Sequence, residues 1–172
     1  MTIVGQSLDR FRRAQEAPAA GFEAALREIR SGAKRGHWIW YVFPQLAGLG
    51  SSPMSQAYGI RDTTEAEAYL RDPVLGPRLV TIAGAVADQL RRGASLQRVL
   101  ASEVDVLKLV SSLTLFGSIA RDLAGAGLGH AAELDRLAAD LLRAAAAEGF
   151  PPCDFTRRAL STEQPRRKEI EG

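Results

Sequence analysis

Two short stretches hold the residue types that could do chemistry together. His37, Trp38, Trp40 and Gln45 offer an imidazole, two flat aromatic surfaces and a two-sided amide, and Lys108, Ser111 and Ser112 offer a cation and two hydroxyls. Aromatic walls with a few convergent polar groups are what a nucleotide, an ADP-ribose-like molecule or a sugar phosphate requires. In that arrangement Trp38 or Trp40 stacks on a base, Gln45 and Ser111 supply hydrogen bonds, and Lys108 neutralises an anionic group. His37, whose ordinary pKa lies nearest neutrality, is the acid or base, with Ser112 beside Lys108 as the third candidate catalytic group. Each residue also has a plainer role. Clustered tryptophans often build a core, Lys108 can pair with Asp105 three residues earlier, and His37 reads equally as a structural histidine.

Other chemistries fail on spacing. Gly48-Leu49-Gly50-Ser51-Ser52-Pro53 begins like a dinucleotide fingerprint but has proline in the third glycine position, and Gly125 to His130 fails with His130 there. There is no phosphate-loop glycine-lysine pair, and no serine stands in a nucleophile-elbow pattern. A single cysteine, Cys153, and two histidines are too few for a four-ligand zinc site, so neither a metal nor another cofactor is expected. Cys153, beside Pro151 and Pro152, reads as a passive thiol.

The elements that must position these residues read as helices. Leu8, Phe11 and Gln15 mark a first helix, and Phe22, Leu26 and Ile29 a second that stops at Gly32. Periodicity does not decide between helix and buried strand for Lys34 to Phe43, which Pro44 ends. Gln45 to Asp62 reads as a long loop rich in glycine, serine and proline. Thr64 with Glu67 forms a capping box for the next helix. Asp72-Pro73 starts a stronger one, with Leu75, Leu79, Ile82, Val86 and Leu90 on one face. Ser95 opens a short turn to Leu100. Ser102 with Asp105 caps a helix to about Asp122, whose stripe is Val106, Leu109, Leu113, Phe116 and Ala120. Leu134, Leu137, Leu141 and Ala145 make a last long helix ending at Gly149, and Asp154 leads into a brief final turn. The expectation is an all-α fold, a compact irregular bundle of six to eight helices in one domain over residues 1–160, with a polar, disordered tail over 161–172.

Composition bounds the rest. The 172 residues are 46% hydrophobic and 24% charged with net charge +2, which fits one globular domain and not a disordered chain. The mild charge is mixed in sign along the chain, so no nucleic-acid polymer is expected as partner. No apolar run is long enough to span a membrane, Asp9 and Arg10 interrupt any signal core, and one cysteine suits a reducing compartment, so the expected location is the cytoplasm. Of 22 basic residues only Lys34, Lys108 and Lys168 are lysine. A lysine within the apolar stretch around 108 is therefore unusual for this chain.

Gly36-His37-Trp38-Ile39-Trp40-Tyr41-Val42-Phe43-Pro44-Gln45-Leu46, with Gly48-Leu49-Gly50 and Ser52-Pro53-Met54 following, resembles the signature of the bacterial domain of unknown function 1810 family. Asp72-Pro73-Val74-Leu75-Gly76-Pro77-Arg78-Leu79 and Lys108-Leu109 with Ser111-Ser112-Leu113-Thr114-Leu115-Phe116 agree with it in order, so the resemblance runs from about Leu8 to Leu160. It implies a compact, mainly helical cytosolic protein and no established reaction; some members carry the label calpastatin. The chain departs from the family pattern at Val110, where members usually have arginine, and at Val106, where they usually have an acidic residue. Two functional classes stay open. One is a small-molecule pocket, extended to a hydrolase acting on a glycosidic or phosphoryl bond through His37 and Lys108. The other is a non-enzymatic module that docks a partner protein through the loop 48–59.

Overall fold

In a computed structural model the backbone is described from Thr2 to Ile170 and the side chains from Ser7 to Thr162. Among the described residues ten helices form one all-α body: α1 (Thr2–Glu16), α2 (Phe22–Arg30), α3 (Ile39–Val42), α4 (Pro53–Ala57), α5 (Thr63–Arg71), α6 (Leu75–Arg91), α7 (Leu96–Leu100), α8 (Glu103–Gly125), α9 (Gly129–Ala147) and α10 (Asp154–Ile170). Three of these, α3, α4 and α7, have only four or five residues. Of the longer helices, α1, α2, α6, α8 and α9 are those the hydrophobic periodicity marks.

Helix α8 is the axis of the body. Its stripe Val106, Leu109, Leu113, Phe116 and Ala120 is buried as the spacing predicts, but Val110, Ser111, Ser112, Leu115 and Ile119 are buried as well. A helix apolar on most sides must be enclosed, and α9, α5, α7, α10 and α3 all pack against α8. The approach of α9 is close because Gly117 has no side chain; a Cβ there would lie 2.8 Å from that of Ala138. Phe11, Tyr69 and Phe116 join α1, α5 and α8 through an edge-on contact and a tilted one, with centroids 5.3 and 5.0 Å apart.

Several local readings need correction. The α5 cap is Asp62, whose carboxylate accepts from the Glu65 amide at 2.8 Å, and not Thr64. The two candidates stand two residues apart, and Asp62, extended at φ -161° and ψ 178°, takes the cap position while Thr64 lies inside the helix. Segment 45–62 is not an open loop. Ala47 donates to the Ile60 carbonyl and Ile60 to that of Gln45, each at 2.8 Å, and α4 fills the space between, opened by Ser52 as N-cap. The segment after Pro152 is no brief turn, since α10 continues to Ile170. The tail expected over 161–172 falls almost wholly on residues whose side chains lie outside those described, with Glu171 and Gly172 outside altogether. Asp72 has two duties: it ends α5 and accepts from the Val74 and Leu75 amides at the start of α6.

Candidate functional site

The start of α8 faces the α2–α3 connection, and their charges meet at Asp105. Its two carboxylate oxygens are divided between two lysines: Lys34 Nζ lies 2.7 Å from Oδ2 and Lys108 Nζ 3.0 Å from Oδ1. Each ammonium also rests near an indole. Lys34 Nζ is 5.4 Å from the centroid of Trp38, and Lys108 Nζ is 4.2 Å from that of Trp40. The order in space is therefore Trp38, Lys34, Asp105, Lys108, Trp40. Burial alone would raise the pKa of Asp105, but the hydrogen bonds and charges of the two lysines outweigh it and hold the carboxyl below its usual range.

The two ends of this series differ. At the Trp38 end Glu28 closes the arrangement: its Oε2 accepts from the Arg35 and Gly36 amides at 2.8 and 2.9 Å and from Trp38 Nε1 at 2.7 Å. Those donors, with the charge of Lys34, hold the Glu28 carboxyl below its usual range against the opposing effect of its partial burial. Trp38 is fully buried and committed to Glu28, so it is a core residue and offers no stacking face. His37 is exposed next to it and lies outside the pocket described below.

At the Trp40 end the structure opens. Trp40, Gln45, Leu49, Gly50, Ser51, Ser52 and Ser55 form one wall of a pocket of about 580 Å³; Val104, Leu107, Lys108, Val110 and Ser111 of α8 form another, and Pro151 and Cys153 the third. The third wall is tied to α8 by the Cys153 amide donating to Thr114 Oγ1 at 3.2 Å and by a 3.3 Å contact between the hydroxyls of Ser111 and Thr156. Val104 and Leu107 at its rim are 60% and 52% exposed, unusually high for apolar side chains on the most buried helix. Phe155 continues the apolar surface, and a Cβ at Gly48 would come 3.4 Å from its ring.

Of the residues marked in the sequence, the fold thus gathers Trp40, Gln45, Lys108 and Ser111 at one pocket and leaves His37, Trp38 and Ser112 out of it. Ser112 is fully buried, and its hydroxyl has no hydrogen-bond partner. In the sequence Asp105 reads as part of the α8 cap with Ser102 and as a neighbour of Lys108, with no link to Lys34. A signal was present, because two of the three lysines in a chain that otherwise uses arginine converge on this aspartate. Val104 and Leu107 fall off the core stripe of α8, which marks them as surface residues but not as a pocket rim. Among the described residues no group of three His, Cys, Asp or Glu side chains could hold a metal ion. No helix among them is long and apolar enough to cross a membrane.

Residues 5–130 match the family described as protein of unknown function, DUF1810. The chain belongs to this family. It is also similar to a solved structure, that of the conserved hypothetical protein Rv1873 from Mycobacterium tuberculosis. The two share 39% sequence identity with a TM-score of 0.65, over 87% of this chain and 92% of the other. A comparison with curated proteins gives no match. The family span takes in Lys34, Trp40, Gln45, Asp105, Lys108 and Ser111, and it ends before the Pro151–Cys153 wall.

Proposed function

We propose that this protein binds an anionic small molecule in the pocket between α8, the 45–55 segment and Pro151–Cys153. The observation that carries the reading is the placement of Lys108. Its ammonium stands against Trp40 at the wall of a pocket of ligand size, while Asp105, the carboxylate it pairs with among the described residues, is shared with a second lysine. Gln45 and Ser51 on the wall supply polar groups that can orient a ligand.

The chemistry of the wall favours binding over turnover. The lining residues include no imidazole and no carboxylate, and His37 stands apart from them, so the acid–base pair that a hydrolase reading needs is not assembled at this pocket. A thermal-shift titration with nucleotides, ADP-ribose, sugar phosphates and simple carboxylates tests the proposal. A ligand at about 100 times its Kd raises stability by roughly 2.7 kcal/mol. The shift is expected to vanish in Lys108→Met and to persist in His37→Ala; a shift lost in His37→Ala and kept in Lys108→Met would overturn this placement.

The exposed rim of Val104 and Leu107 also suits a docked protein surface. Leu107→Asp separates the two uses: a complex lost in this variant while small-molecule titration stays flat in the wild type would assign the face to a protein partner.

A further inference from the structure

Resting on the small-molecule reading above, we infer that the ligand class is an amphipathic monoanion, an acyl or aryl chain carrying a single carboxylate, in preference to a nucleotide or a sugar phosphate. The inference comes from the number of charges at the pocket and the character of its walls.

Lys108 is the one charged side chain among the residues lining the pocket. Its ammonium has three N–H groups. One is directed to Asp105 Oδ1 at 3.0 Å, and the face of Trp40 lies 4.2 Å away. Asp105 cannot neutralise it fully, because the same carboxylate also serves Lys34 at 2.7 Å. Glu28 lies beyond Lys34 and is held by Arg35, Gly36 and Trp38. A partial positive charge is therefore left at the Trp40 end, on a side chain only 17% exposed. One carboxylate matches it. The two or more charges of a nucleoside diphosphate would lack further cations, since no arginine lines this pocket.

The rest of the surface calls for an apolar body. Trp40, Leu49, Val104, Leu107, Val110 and Pro151 supply most of the walls, and Val104 and Leu107 leave their side chains in solvent at the rim. Exposure of two aliphatic groups on one turn of a helix is relieved by a ligand with a chain or ring lying across them. A sugar or a phosphate at this rim would cover apolar surface with groups that prefer water. The hydroxyls of Ser52 and Ser55 do not offset this, because Ser52 Oγ caps α4 and Ser55 Oγ donates to the Ser52 carbonyl at 2.8 Å.

The test titrates the full chain with octanoate, 4-phenylbutyrate, octanamide and ADP, following heat of binding and Trp fluorescence. Octanoate and 4-phenylbutyrate are expected to bind at least tenfold more tightly than octanamide and than ADP. Lys108→Met should remove the preference for acid over amide, bringing the two within about twofold. Leu107→Asp, a substitution at an exposed position, should weaken both acids at least tenfold while the unfolding midpoint without ligand stays near that of wild type. Octanamide binding as tightly as octanoate would overturn the role of charge. ADP binding more tightly than either acid, with that binding lost in Lys108→Met, would overturn the ligand class while leaving the pocket reading standing. No binding by any of the four would overturn the class, and the pocket reading itself would fall if the wider titration of nucleotides and sugar phosphates were also flat.

Discussion

Two places in this molecule bring buried charges together, and they are built to different ends. Where α1 meets α5, each acid is surrounded by donors. Glu65 is bound by Arg10 at 2.8 and 3.0 Å, by the Ser7 hydroxyl and by the Arg61 amide, while Asp72 is bound by Arg12 and by two amides. Gln15 completes the seam by donating to the Tyr41 carbonyl and the Tyr69 hydroxyl at 2.7 and 3.0 Å. Where α8 begins, one carboxylate serves two ammoniums, and the side chains beyond the second are apolar and exposed. In the first arrangement both carboxylates are paired with donors, although Gln15 Oε1 is buried without a partner, and the arrangement acts as a clamp between helices. The second leaves charge and apolar surface unspent beside a cavity, and the proposed binding reading rests on that difference.

The largest effect should come from removing the shared carboxylate. Asp105→Ala leaves two lysines facing each other with little solvent, and a loss of about 3–5 kcal/mol in denaturant-derived stability is expected. A loss below about 1 kcal/mol would mean that the lysines are adequately solvated, and the charge argument for the pocket would weaken with it.

The clamp should show in acid. Burial would raise the Glu65 pKa, but Arg10, Ser7 and the Arg61 amide bring it from 4.5 down to about 2. A depressed carboxyl stabilises the fold fully above its unfolded value and loses that contribution as pH falls through the folded value. The shift corresponds to roughly 3 kcal/mol, present at neutral pH and lost between about pH 5 and pH 2. Wild type should therefore lose stability more steeply than Glu65→Gln across that window, and the two curves should converge near pH 2. Parallel curves would show that Glu65 is no clamp.

A smaller contrast lies within the second site. Lys34 is nearly buried and meets Asp105 at 2.7 Å, whereas Lys108 is more exposed and sits at 3.0 Å. Lys34→Met should destabilise more than Lys108→Met, for which about 1 kcal/mol or less is expected because Asp105 keeps its shorter contact. Equal losses measured by denaturant unfolding would make the pair symmetric and remove the ground for assigning the free charge to Lys108.

The bundle was legible in the sequence wherever apolar residues recur over two turns or more, as in α6, α8 and α9. The site was legible only in part, and the reason is geometric. In His37, Trp38 and Trp40 no period is long enough to assign inward and outward faces, because α3 has just four residues. The chain turns Trp38 into the core, Trp40 to the pocket and His37 to solvent. Asp105 and Lys108 are three residues apart on one helix and pair as such spacing predicts. The contact of Asp105 with Lys34 joins segments distant in sequence, and nothing local announces it. Likewise Pro151 and Cys153 reach the pocket only because Thr114 and Ser111 hold their segment against α8.

Ser112 gives the smallest predicted effect, and one of opposite sign. It stands on α8 next to Ser111 and four residues after Lys108, which in sequence made it a candidate for catalysis. In the fold it is fully buried, its hydroxyl has no partner, and it does not line the pocket. An unpaired buried hydroxyl costs stability, and alanine suits a helix interior better than serine. Ser112→Ala should consequently leave ligand titration unchanged and raise stability by up to about 1 kcal/mol, read as a higher midpoint in denaturant. Ser111→Ala, which gives up the contact with Thr156, should lower it by about 0.5–1.5 kcal/mol. Adjacent serines with opposite signs would separate the hydroxyl that anchors the pocket wall from the one that is merely enclosed. Lost ligand binding in Ser112→Ala would return this residue to the site and show that α8 presents a different face to the ligand.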